Sequence, residues 1–202
     1  MMITHCMDAL CSSERIRDLV IIADVSYRKE IEKDWKEYGS GGRILAFADP
    51  GENRQLSIRN GLLALEGKAK EDSVVLIHDA ARPFVTDKLI DSCIFACEEH
   101  DGAMPVLPMK DTVYLTGDNG CVNGLLERDR VVAGQAPEAF LYGKYLAANE
   151  RLMPEKILSI RGSSEVAILA GMDIAVVPGD EGNIKVTTPS DLKFFYRCFG
   201  ES

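Results

Sequence analysis

The chain has 202 residues, of which 46% are hydrophobic, enough apolar side chain for one sizeable core, so a single domain over residues 1–202 is expected. Its formal net charge of -9 opposes contact with phosphate backbones and anionic lipid headgroups, which argues against nucleic-acid and membrane partners. An anionic small molecule must then be held by a few basic residues gathered in one place.

Taken along the chain, residues 1–10 have helical spacing, and no glycine occurs before Gly39. Apolar runs rich in Val and Ile at 19–25, 44–48, 74–78, 103–107 and 174–177 read as strands. Between them, 27–38, 55–66, 87–100, 138–151 and 163–170 have apolar spacing near 3.6 and read as helices. This alternation predicts the α/β class, a mostly parallel, Rossmann-like sheet flanked by helices. Residues 112–126 break the rhythm, with alternating stretches around Gly117-Asp118-Asn119-Gly120, and predict a β-hairpin. We read 110–126 as a protruding arm, which packs either on a second subunit or back on its own domain.

The six cysteines, Cys6, Cys11, Cys93, Cys97, Cys121 and Cys198, form no C-x-x-C pair and read as reduced thiols rather than a zinc site. No apolar run is long enough for a bilayer span and no signal peptide is visible, so a cytoplasmic location is expected.

Chemistry concentrates in three strings. In the first, the apolar stretch from Val74 runs into His78-Asp79-Ala80-Ala81-Arg82-Pro83. Ligands of open α/β sheets bind beyond the carboxyl ends of strands. There Asp79 can hold Mg²⁺ between phosphates, small alanines admit a substrate closely, and Arg82 can pair with a phosphate through two N–H groups. The plainer alternative makes Asp79 a turn cap and Arg82 a solvated side chain. The second string runs from Pro50 through Gly51-Glu52-Asn53-Arg54-Gln55-Leu56-Ser57 to Leu62, a loop opening a helix, whose amides and Ser57 suit a base or sugar edge or serve only as an N-cap. The third, from Gly179 to Leu192, contains Lys185 flanked by apolar residues. An inward lysine there needs an anion, either a nucleotide phosphate or a structural carboxylate. Thr188 before Pro189, with Asp191 following, marks a helix start.

Together with Pro108-Met109-Lys110-Asp111-Thr112, Arg128 and Gln135-Ala136-Pro137-Glu138-Ala139-Phe140, these strings resemble the methylerythritol-phosphate cytidylyltransferases and the related ribitol-phosphate cytidylyltransferases over nearly the whole chain. The resemblance implies that Gly51, Glu52 and Ser57 line a cytidine pocket and that Asp79 holds Mg²⁺. It implies that Ala80, Arg82, Thr112 and Arg128 receive a polyol phosphate, with Thr112 and Arg128 reaching across a homodimer, and that Lys185 positions the phosphates of CTP. Lys185, Arg128 and Asp79 are thus the catalytic candidates.

Departures from the family pattern are visible at several points. The family's first strand and its glycine-rich loop, Ala-Ala-Gly-x-Gly-x-Arg, have no counterpart, and that strand lies mid-sheet in the family. Its absence implies unpaired neighbouring strands, low stability and little activity for this form. Arg161-Gly162-Ser163-Ser164-Glu165 stands where the family has Thr-Asp-Asp-Ala, Ala136 replaces its Thr, and Leu56 stands where Asp often precedes the serine. The alternative to an active transferase is a non-catalytic homologue acting as a binding or regulatory subunit.

Overall fold

The computed structural model describes residues 1–200. Helix α1 (Met2–Cys11) leads into strand β1 (Asp18–Ile22), helix α2 (Val25–Tyr38) and strand β2 (Arg43–Ala48). The chain then enters α3 (Arg54–Leu63), β3 (Val74–Ile77), α4 (Asp87–Ala96) and β4 (Gly102–Pro108). Side-chain caps set the helix starts. Asp24 accepts from the Ser26 amide at the head of α2, Asn53 from Leu56 at α3 and Thr86 from Leu89 at α4, each satisfying an amide that the first turn leaves open.

Beyond β4 the hairpin strands β5 (Tyr114–Thr116) and β6 (Val122–Leu125) pair antiparallel and form a sheet of their own. Strands β7 (Val132–Gly134) and β8 (Glu138–Leu141) follow, then helix α5 (Tyr142–Glu150), helix α6 (Ser163–Leu169), strand β9 (Ile174–Pro178) and helix α7 (Pro189–Phe199). The start expected at Thr188 is a full capping box, with Thr188 accepting from the Asp191 amide and the Asp191 side chain accepting from the Thr188 amide.

In the main sheet β8 lies antiparallel between β3 and β4, while β9 pairs parallel with the other edge of β4. Strands β3, β4 and β9 therefore point the same way, β8 reverses between β3 and β4, and β7 also runs antiparallel beside the end of β4. This corrects the helix expected over 138–151. Its first four residues are a strand, with Ala139 buried against Cys93 and Cys97 on one face and Phe140 stacked on Tyr145 at 4.0 Å on the other. A strand covered on both faces carries a continuous apolar run, which helical spacing imitates. The first strand also ends sooner than expected, since Asp24 caps a helix that already contains Val25.

Strands β1 and β2 form a separate parallel pair. Among the described residues β1 pairs with β2 alone and β3 with β8 alone, so the sheet is divided between β1 and β3. Two helices span the division. On one side α3 sets Gly61 against Val20 and Ile22 of β1 and Ile58 and Leu62 in the cluster with Val75 of β3. On the other, α1 buries Met7 with Leu19 and Ile21, and its Leu10 also packs with the group around Val85 and Leu89 that touches Leu76 of β3.

Candidate active site

The carboxyl end of β3 opens into His78 and Asp79, and the chain turns back at once, with the Arg82 amide donating to the Asp79 carbonyl at 2.9 Å. The His78 Nε2–H donates to the Arg82 carbonyl at 3.0 Å. Burial drives the His78 imidazole below its ordinary value, which leaves it neutral, with Nδ1 unpartnered among the described residues. The loop is thus a rigid hook that presents the Asp79 carboxylate with its side chain only 17% exposed.

Three cations surround that carboxylate. Arg54, the first residue of α3, donates to Oδ1 through Nη2 at 2.9 Å and Nε at 3.2 Å. Lys185 Nζ lies 2.9 Å from Oδ2, and Arg82 Nε lies 4.0 Å from it. Burial pushes the Asp79 carboxyl up, but the Lys185 hydrogen bond and the Arg54 charge outweigh it, and the carboxyl is held below the usual aspartate value. Arg82 is itself fixed by donation from Nη1 to the Asn183 carbonyl at 2.7 Å. Asn183 is fully buried and its Nδ2 donates to the Ala136 carbonyl, so the Gly179 to Asn183 loop is anchored to the segment before β8.

Lys185 departs from the expectation of an inward residue of an apolar strand. It sits in the irregular segment between β9 and α7, its side chain 43% exposed, and the anion it meets is Asp79. The neighbouring Val186 amide donates to the Ala81 carbonyl at 2.8 Å, which ties this segment to the Asp79 loop. Ala80 is exposed beside Asp79.

Gly51 and Ser57 face each other across the loop before α3, the Gly51 amide donating to Ser57 Oγ and Ser57 Oγ to the Asn53 carbonyl, both at 2.9 Å. A Cβ at Gly51 would sit 2.3 Å from the Leu56 Cβ, so the close turn demands glycine. Glu52 is exposed on the same turn. Thr112 and Arg128 are exposed at the base of the arm, with Arg128 Nη1 donating to the Lys110 carbonyl at 3.2 Å. Lys110 pairs with Glu181 at 2.5 Å, an exposed contact between the arm base and the Gly179 to Asn183 loop.

Sequence reasoning did not single out Arg54, Ser163 or Glu138. Arg54 Nη1 donates to Ser163 Oγ at 3.0 Å, and Ser163 and Ser164 both donate to the Glu138 carboxylate. The available signal was the location of these residues within the strings already noted, with no local feature marking their pairing.

Among the described residues no three His, Cys, Asp or Glu side chains cluster as a metal cage. Asp79 offers a hard dication one carboxylate, and the three cations around it oppose a resident ion held by protein alone, so a dication would be held here only together with substrate phosphates. Among the described residues no helix is long and apolar enough to cross a membrane.

Comparison with known proteins gives this geometry its context. A 2-C-methyl-D-erythritol 4-phosphate cytidylyltransferase of Geobacter metallireducens is 40% identical over 150 residues, covering 74% of this chain and 64% of that protein. A ribitol-5-phosphate cytidylyltransferase of Streptococcus agalactiae is 30% identical over 200 residues, covering 96% of this chain and 80% of that one. The matched part of this chain thus spans less than two thirds of the Geobacter relative and only 38% of a bifunctional IspD/IspF enzyme of Bradyrhizobium. The crystal structure of 4-diphosphocytidyl-2C-methyl-D-erythritol synthase from Anaerococcus prevotii superposes with a TM-score of 0.85 at 26% identity, covering 99% of this chain and 89% of that one. Residues 1–196 match the family described as IspD, 2-C-methyl-D-erythritol 4-phosphate cytidylyltransferase, and the chain belongs to that family.

Proposed function

We propose that this chain transfers a cytidylyl group from CTP to a sugar-alcohol phosphate and releases pyrophosphate, in the cytoplasm and as a homodimer. One observation carries the reading, the ionised Asp79 ringed by Arg54, Arg82 and Lys185 at the carboxyl end of β3. In this reading a phosphate oxygen of the acceptor attacks the α-phosphorus of CTP. The new P–O bond forms as the bond to pyrophosphate breaks, and the electron pair leaves with pyrophosphate. Such chemistry needs alignment and charge neutralisation rather than a protein nucleophile.

Lys185 meets the charge that builds on the phosphates, and Arg82 takes the acceptor phosphate beside the small Ala80. Gly51, Glu52 and Ser57 face the cytidine, the turn at Gly51 bringing backbone close to the base. Mg²⁺ held by Asp79 would neutralise phosphate charge when bound. Thr112 and Arg128, exposed at the arm base, serve the acceptor pocket of the second subunit. The relatives named for methylerythritol phosphate and for ribitol phosphate make these two acceptors the first to try.

The test is pyrophosphate release with CTP, Mg²⁺ and each acceptor in turn, in a form that carries the family's glycine-rich segment ahead of residue 1 and in Lys185→Ala of that form. We expect turnover with one acceptor and a loss of about 10² or more in Lys185→Ala, because a single preorganised charge at a developing anion contributes on that order. Equal turnover in Lys185→Ala, or none in the form that carries the glycine-rich segment with either acceptor, would overturn the proposal.

A further inference from the structure

Glu138 opens β8 directly opposite Ile77, the residue before His78 and Asp79, so strand register carries its carboxylate to the same end of the sheet as the Asp79 loop. Its Oε1 accepts from Ser163 Oγ at 2.7 Å and its Oε2 from Ser164 Oγ. Ser163 is fully buried and Ser164 nearly so. A serine hydroxyl has one proton and two lone pairs. With that proton given to Glu138, Ser163 Oγ is left as the acceptor for Arg54 Nη1 at 3.0 Å. Arg54 then clasps Asp79 through Nε and Nη2 while its side chain remains 41% exposed.

The buried half of this chain of hydrogen bonds fixes the plane of a guanidinium whose other edge, Nε and Nη2, holds Asp79. An ion pair as exposed as Arg54 with Asp79 adds little stability by itself. A guanidinium fork fits phosphate as it fits carboxylate, provided its orientation is set beforehand. The charge balance points the same way. Arg54, Arg82 and Lys185 face Asp79, with Glu138 beyond Ser163 along the chain of bonds, which makes a cationic island in a chain of net charge -9.

We infer that Arg54 is a phosphate-binding residue of this site and that Glu138 and Ser163 are positioning residues that hold its guanidinium ready. An incoming phosphate would take the Arg54 fork in place of the Asp79 carboxylate. The inference rests on the nucleotidyl-transfer reading of the site.

Inorganic pyrophosphate is titrated calorimetrically into the whole chain with Mg²⁺, and ribitol phosphate in a parallel arm, with thermal unfolding recorded for every variant. Arg54→Gln is expected to weaken one of the two ligands about tenfold or more, the size of a lost charge-assisted hydrogen bond. A loss confined to pyrophosphate assigns Arg54 to the nucleotide phosphates, and one confined to ribitol phosphate assigns it to the acceptor. Ser163→Ala and Glu138→Gln should weaken the same ligand about threefold to tenfold, while Ser163→Thr, which keeps a hydroxyl, stays near the unmodified protein. Arg59→Gln, further along α3, breaks a pair with Glu150 of α5 and should leave both affinities unchanged. If Lys185→Ala weakens pyrophosphate and Arg54→Gln weakens neither ligand, the role of Arg54 is overturned and the site reading stands. If the unmodified protein binds neither ligand, both fall. If Ser163→Ala and Ser163→Thr bind alike while Arg54→Gln is weak, the positioning role of Glu138 and Ser163 is overturned.

Discussion

Asp79 keeps its charge in a half-enclosed site because Lys185 and Arg54 each donate to a different oxygen of its carboxylate. Its folded value lies below the ordinary 3.8, so its contribution to stability is present above that value and is lost as pH falls through the folded value. We expect the stability gap between the protein and Asp79→Asn to be widest near neutral pH and to narrow below about pH 4. Urea unfolding of both proteins between about pH 7 and pH 3 measures it, and a gap that stayed constant over that range would show that the cations do not hold Asp79 ionised. Asp79→Asn should also lose Mg²⁺-dependent turnover, since an amide is a poor ligand for a hard dication. Asp79 and Arg82 were legible in the sequence because His-Asp-Ala-Ala-Arg-Pro is a distinctive string at a strand end. Arg54 was not. An arginine in the first turn of a helix has the look of a solvated face, and only folding brings it to a carboxylate 25 residues away.

Among the elements, β8 shows how a local pattern misleads. Its four residues continue into α5 with spacing that suits one long helix, yet they are buried between two strands, where pairing with both neighbours outweighs local preference. Phe140 has no exposed surface and stacks on Tyr145 with rings 5° from parallel. Phe140→Ala should therefore lower stability by about 3 to 5 kcal/mol, the range for removing a large buried aromatic ring. Thr188→Ala removes only the cap of α7 and should cost about 1 kcal/mol. Denaturant unfolding of both variants checks the contrast, and comparable losses would mean that β8 is not the centre of the core. The α7 start itself was readable in advance, because a capping box is written within four consecutive residues and needs no distant partner.

At the scale of the whole molecule, the arm carries its apolar residues in the open, Tyr114 at 56%, Leu115 at 51%, Val122 at 64% and Leu125 at 65% exposure. A two-stranded hairpin is marginal in water on its own, so these side chains call for cover. We expect a homodimer through the arm, seen by sedimentation at micromolar concentration, and a shift to monomer in Leu115→Glu with Leu125→Glu. A monomeric unmodified protein would count against the arm as interface and against Arg128 serving a second subunit. The sequence by itself determined the class, the hairpin and the loops that carry Asp79, Arg82 and Lys185, because period, turn residues and strand ends are local properties of the chain. Tertiary structure alone decided the reversal of β8, the division of the sheet between β1 and β3 with α1 and α3 spanning it, and the line from Glu138 through Ser163 and Arg54 to Asp79. Arg54 and Ser163 are 109 residues apart, and pairings at that separation are selected by burial and strand register across the whole fold, which no local segment encodes.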